Sequence, residues 1–178
     1  MQRVLVYGVT GSGKSVAAAR LGDVLGLPVT FVDELTWHPG WVAVPTDEQR
    51  AAIARVVAGD GRVLDGAYST WLDLVVERAD LVVGLDYPRW LSFQRLLRRT
   101  LRLIRTQQPT CNGNTETWRQ LWGRESILRW HVQSFPRKRR RLRAWAQANG
   151  RPEVLLFRRP RELEAWIAGL DERARRRP

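Results

Sequence analysis

The sequence predicts an α/β chain in which five short parallel strands form one sheet with helices over both faces. Three observations carry this expectation. Short apolar runs alternate with longer stretches of helical periodicity, the sequence form of βαβ units. A glycine-rich segment, Gly8 to Ser15, lies directly between the first apolar run and the first helical stretch. The 178 residues, 44% hydrophobic and 27% charged, suit one folded domain, 1–178.

The strands are expected at Arg3 to Tyr7, Pro28 to Val32, Arg62 to Asp65, Asp80 to Asp86 and Glu153 to Phe157, each bounded by Gly, Pro, Asp or Arg. The first helix should run from about Gly13 to Leu25 and stop near Gly26. A second follows Thr46, with Asp47 and Glu48 against its positive end. Ser69 is placed to cap a third. Pro88 suits the start of a fourth, in which Leu91, Leu96, Leu97, Leu101 and Ile104 recur at helical spacing through Arg105. From Thr106 to about Gly123 the pattern fails, and Pro109, Asn112, Gly113 and Asn114 mark a loop of a length usually reserved for function. A helix over Arg124 to Ala148 then leads into the last strand, and Pro160 opens a terminal helix.

Composition removes several classes. Cys111 is the only cysteine, so no internal disulfide can form, and no apolar run approaches the roughly 18 residues of a membrane span. The opening run Val4 to Tyr7 is too short for a signal-peptide core, so a cytoplasmic protein is expected. His38 and His131 have no Cys or His partner at ligand spacing.

Charge is the unusual quantity. The 30 basic residues against 18 acidic ones include only two lysines, Lys14 and Lys138. Residues 1–90 hold 8 basic and 11 acidic groups, whereas residues 91–178 hold 22 and 7. Such a basic half faces anions: nucleic acid, an acidic membrane surface, or a small molecule rich in phosphate.

Gly8-Val9-Thr10-Gly11-Ser12-Gly13-Lys14-Ser15 satisfies the phosphate-loop pattern G-x-x-x-x-G-K-[ST], with an expected strand before it and a helix after it. Glycines let main-chain N–H groups converge on phosphate oxygens, and the helix N-terminus adds partial positive charge. Lys14 can bridge the outer phosphates, and the Ser15 hydroxyl can bind Mg²⁺. The cradle is expected to use Gly8, Thr10, Gly11, Ser12, Gly13, Lys14, Ser15 and Val16, with ATP and Mg²⁺ as cofactors. A mere glycine turn beside an exposed lysine is the bland alternative, and the flanking pattern argues against it.

Three later features accompany the loop: Asp65-Gly66 closing the third strand, Asp86-Tyr87-Pro88 closing the fourth, and arginines at 95, 98, 99 and 102 on the next helix. Together they resemble the adenylate kinase superfamily of nucleoside monophosphate kinases. The segments Val32 to Trp41, Leu64 to Ser69 and Phe135-Pro136-Arg137 are similar to the adenylate-kinase-related topology modulation proteins, over nearly the whole chain. The resemblance implies a three-layer P-loop kinase fold with strand order 2-3-1-4-5, an acceptor-binding insert at about 33–60 and a lid at about 106–128. It implies that Asp33 orients or deprotonates an acceptor, and that Asp65 reaches Mg²⁺ through water beside Ser15. Arg95 and Arg99 resemble arginines that start a lid and contact the nucleotide, and Arg124 and Arg129 those that return from it to act in catalysis. Ala67-Tyr68-Ser69 departs from the adenylate kinase pattern, in which an arginine grips the phosphate of AMP.

From the residues themselves, Asp33 stands at a strand's carboxyl edge, where ligands collect in open parallel sheets. A helix cap or solvated acid is its bland alternative. Trp37 and Trp41 bracket a tight turn after Asp33 and, with Asp65, Gly66 and Tyr68, are candidate walls for a small-molecule acceptor. The expected function is phosphoryl transfer from ATP to a nucleotide or nucleoside-like acceptor by a monomer or homodimer, without a membrane partner. A nucleotide-regulated nucleic-acid-binding protein stands second, because Trp118, Trp122, Trp130 and Trp145 interleave with arginines, and a simple ATPase third. Trp118 and Trp122, four residues apart, are otherwise expected to pack the lid onto the core. Lys14→Met should abolish saturable uptake of Mg²⁺-nucleotide, measured by equilibrium titration; unchanged affinity would refute the cradle.

Overall fold

Val4 to Tyr7 are apolar without a break, and a strand of that kind needs cover on both faces. In the computed structural model, which describes residues 2–66, 68–123, 126–148 and 150–176, it has that cover. The chain runs β1 (Arg3–Gly8), α1 (Lys14–Leu25), β2 (Val29–Phe31), α2 (Asp33–Thr36), β3 (Trp37–His38), β4 (Val42–Ala43), α3 (Thr46–Ala58), β5 (Arg62–Asp65) and α4 (Leu72–Glu77). It continues through β6 (Leu81–Leu85), α5 (Arg89–Thr106), a 3₁₀ turn at Cys111–Gly113, α6 (Trp118–Trp122), α7 (Ile127–Gln147), β7 (Glu153–Phe157) and α8 (Pro160–Arg175).

The main sheet is wholly parallel in the order β2-β5-β1-β6-β7. Counted along the chain, these five strands stand 2-3-1-4-5, as expected. Strand periodicity divides the core. Val4 and Val6 join Val63, Val83, Ala18, Leu21, Leu163 and Ile167 on the face covered by α1 and α8. Leu5 and Tyr7 join Leu64, Val82, Ile53, Trp71, Val75 and Leu142 on the face covered by α3, α4 and α7. Each fully buried Val, Leu or Ile contributes about 1.5–3 kcal/mol, so β1 anchors both layers.

The helix signals hold in most places. Gly26 ends α1 in the left-handed conformation, φ 63°, and its N–H donates to Gly22 O. Pro88 occupies the cap position of α5, and Pro160 is the first residue of α8. Ser69 does not cap α4: that helix starts three residues later, after the fully buried Trp71, whose anchoring sets the start. The stretch expected to be patternless contains α6, held by a reciprocal cap in which Thr117 Oγ1 accepts from Gln120 N while Gln120 Oε1 accepts from Thr117 N. The expected aromatic turn after Asp33 is a small antiparallel hairpin, β3 paired with β4.

Pro136 lies inside α7 and has no N–H for the carbonyl of Val132, four residues earlier. Arg89 Nη2 from α5 donates to that oxygen across a long 3.4 Å. At the end of β6, buried Asp86 accepts from Arg139 Nε at 2.7 Å and Arg143 Nε at 2.9 Å, which pins α7 to the sheet. The arginine side chains are 33% and 47% exposed, so water can reclaim them if the acid is removed. Asp86→Ala should therefore cost on the order of 1–3 kcal/mol, less than breaking a fully buried pair. A urea-unfolding midpoint equal to that of the parent would refute this anchoring role.

Candidate active site

The carboxyl ends of β1, β5 and β2 meet at one edge of the sheet and bring the expected residues together. The loop after β1 passes Gly11 (φ +80°) and Gly13 (φ +90°) before α1 begins. A side chain at Gly11 would meet Ser92 O at 2.3 Å and Leu96 Cβ at 2.7 Å, so α5 packs directly against the cradle and only glycine fits there. Ser12 is buried, and its Oγ has no hydrogen-bond partner among the described residues. Thr10 and Lys14 are half-buried, while Val16 is exposed on α1.

Ser15 Oγ donates to Asp65 Oδ2 at 2.5 Å, and Asp65 Oδ1 accepts from Val32 N at 3.1 Å. The register Phe31↔Asp65 sets the second bond, because it places the residue after β2 beside the end of β5. Burial raises the Asp65 pKa, while Lys14 and the Ser15 hydrogen bond oppose the rise. This hydroxyl and carboxylate, beside Lys14, are oxygen donors of the kind that would hold Mg²⁺. Gly66 donates its N–H to Val6 O, and the room a side chain would need there is taken by Trp71 and Val32.

Asp33 opens α2 but leaves capping aside. Its Oδ1 accepts from Tyr68 Oη at 2.7 Å, and Oδ2 has no hydrogen-bond partner among the described residues. Tyr68 Oη in turn accepts from Trp37 Nε1 at 3.1 Å. Burial pushes the Tyr68 pKa far upward and the Asp33 charge adds to the rise, so the phenol stays a donor. Trp37 and Trp41 meet edge to face, with centroids 5.9 Å apart. Asp33, Tyr68, Trp37 and Trp41 thus form one connected wall.

The segment after α5 fastens that wall, which sequence reasoning missed. Cys111 Sγ donates to Asp33 O, and Asn112 Nδ2 donates to Glu34 O and Trp37 O. Asn114 Oδ1 accepts from Trp41 N at 2.8 Å, while its Nδ2 donates to His38 O at 3.0 Å. Trp41 Nε1 donates to Thr115 O. Trp41 itself has φ 59°, a left-handed backbone costly for a bulky residue, and this clasp over-determines it. The signal was visible only as a Cys-Asn-Gly-Asn loop: asparagine amides can replace backbone partners, but sequence does not say whose.

The arginines divide. Arg95 Nη1 donates to Ser12 O at a long 3.4 Å, and its guanidinium lies over Tyr87. Arg99 offsets the burial that raises the Glu116 pKa. Arg129 is exposed on the first turn of α7, with no hydrogen-bond or ion-pair partner among the described residues. Arg124 lies outside the described residues. The expectation that Trp118 and Trp122 pack inward is corrected: they are 52% and 75% exposed, and Leu121 is the buried residue of that short helix. His131 is a core residue, its Nε2 2.9 Å from Ser92 Oγ.

The glycine cradle and the strand order define a P-loop fold of the adenylate-kinase-like type. No family model and no curated protein matches the sequence. Solved structures match along almost its whole length. Shikimate kinase from Bacteroides thetaiotaomicron superposes with a TM-score of 0.56 at 14% identity, covering 98% of this chain and 98% of that one. Gluconokinase from Sinorhizobium meliloti 1021 gives 0.53 at 20% identity, covering 97% and 94%. Shikimate kinase from Aquifex aeolicus gives 0.53 at 16%, covering 98% and 99%. The likeness is one of fold.

Asn114→Ala removes the acceptor for Trp41 N and the donor to His38 O, each bond worth about 0.5–1.5 kcal/mol. Amide exchange across residues 37–43 should accelerate about tenfold or more while β6 keeps its protection. Equal protection in both proteins would mean that the clasp does not hold the wall.

Proposed function

We propose that the chain transfers the γ-phosphoryl group of ATP, with Mg²⁺, to a hydroxyl of a small acceptor. The observation that carries this reading is the sharing of one sheet edge by the Ser15–Asp65 pair and the Asp33–Tyr68 pair, the first at the end of the cradle and the second one strand away. The buried, unpartnered Ser12 Oγ and the side-chain-free approach at Gly11 fit a bound polyphosphate. When bound, Mg²⁺-ATP supplies the electrophilic phosphorus and the leaving group.

The chain's own residues position and neutralise. Lys14 and the loop amides would offset phosphate charge, and Ser15 and Asp65 would hold the metal. Tyr68 fixes one oxygen of Asp33 and leaves the other to accept the acceptor's hydroxyl hydrogen, orienting that oxygen for in-line attack. Arg95 lies over the cradle where it can meet the nucleotide, and Arg124 and Arg129 are assigned to the developing charge when segment 106–128, hydrogen-bonded to residues of insert 33–60, closes as a lid over the cradle. The aromatic wall of Trp37, Trp41 and Tyr68 supports an acceptor with a flat face, nucleoside-like in this reading. Tyr68 and Ser69, where the resemblance would put a phosphate-gripping arginine nearby, argue against AMP.

One observation favours a second reading, nucleotide-controlled binding of single-stranded nucleic acid. Trp118, Trp122 and Trp130 are 52%, 75% and 44% exposed among the arginines of the basic half, and such rings stack on bases. Backbone binding would weaken steeply with salt and show no acceptor-dependent release of ADP.

The test is an acceptor screen monitored by ADP formation, with oligonucleotide titrations at several salt concentrations beside it. A kinase releases ADP faster with its proper acceptor, and acceptor-independent release would leave a bare ATPase. Asp33→Asn should lower turnover about 10²-fold or more while nucleotide affinity, measured by titration, is kept; unchanged turnover would remove Asp33 from the mechanism.

A further inference from the structure

Helix α7 packs on α5 and the sheet through a stripe at helical spacing: His131, Ser134, Phe135 and Leu142 are all buried, at 0%, 1%, 6% and 2% exposure. Lys138 falls on the same stripe, between Phe135 and Leu142, where the pattern calls for an apolar side chain. It lines a narrow cleft with Tyr7, Gly8 and Val9, the end of β1 and the start of the cradle. In a chain whose other basic residues are arginines, the one remaining lysine is Lys14 of the cradle itself.

No carboxylate lies within ion-pair distance of Lys138 among the described residues, and its nearest assigned partner is the face of Trp130, 5.6 Å from Nζ. A half-buried ammonium without a counter-ion is costly. Burial, reinforced by the Lys14 charge and opposed by Asp33, pushes its pKa down to about 7. Through that cleft, whose other wall is the end of β1 and the first residues of the cradle, Lys138 approaches the glycine loop from α7.

We infer that Lys138 is a catalytic residue whose missing counter-ion is the terminal phosphate of a bound nucleoside triphosphate, contacted from α7 opposite Lys14. The inference rests on the proposed nucleotide-binding cradle but not on any particular acceptor. It separates triphosphate from diphosphate, because only the former carries the group that Lys138 meets.

Two experiments test it. Because the chain has two lysines, acylation of the parent protein near pH 7, read by mass spectrometry, resolves them individually. Lys14 should be shielded by ADP and by the imido analogues of ATP and GTP alike, and Lys138 by the triphosphate analogues only. In titrations, Lys138→Met should lower the preference for imido-triphosphate over diphosphate by about tenfold, while Arg140→Met, on an exposed position of the same helix, keeps it. Lys138→Gln serves as the alternative variant if the methionine protein fails to fold. Equal shielding of Lys138 by both nucleotide classes, no shielding at all, or an unchanged preference in the variant would overturn the role of Lys138. Parent protein that takes up neither class of nucleotide would instead overturn the proposed cradle, so the two failures are distinguishable.

Discussion

Burial of β1 on both faces is the constraint on which the molecule depends. A strand covered above and below can present chemistry only at its ends, and its carboxyl end is extended by a glycine loop that enters α1. Because β5 and β6 pair with it in parallel on either side, their carboxyl ends arrive at the same edge. Asp65 and Asp86 are therefore delivered next to the cradle by register alone, one facing Ser15 and the other gripped by α7. The site is a consequence of strand polarity before it is a consequence of any individual side chain.

Much of this was legible in the sequence, for a physical reason. Short apolar runs, Gly26 after α1 and Pro88 before α5 are local signals, and the steric rules behind them operate within a few residues. The cradle was legible in the same way, since its glycines and Lys14 are contiguous. Asp33, Asp65 and Tyr68 could be singled out from strand ends and resemblance, but the Tyr68–Asp33 hydrogen bond and the bond from Val32 N to Asp65 depend on the β2–β5 register. Ser69 misled because a good capping residue lies near a helix whose start is set by the burial of Trp71. Trp118 and Trp122 misled because helical spacing says that two residues share a face and not which way the face turns.

What stayed hidden joins residues about 75 positions apart. The amides of Asn112 and Asn114 and the thiol of Cys111 bond main-chain groups between Asp33 and Trp41, and nothing in the local pattern of either segment names the other. Lys138 was equally silent, since within so many arginines it reads as one more cation on a solvated helix. Only its place on the buried stripe of α7 separates it from its neighbours.

The clasp between segment 111–115 and residues 33–41 has an energetic corollary. If the first of these moves over the cradle when nucleotide is taken up, the aromatic wall cannot stay behind, because six hydrogen bonds would have to break first. The two halves of the cleft then travel as one body, and occupancy of either alters the free energy of filling the other. Thermodynamic linkage makes that influence symmetrical: whatever factor the donor contributes to acceptor affinity, the acceptor returns to the donor.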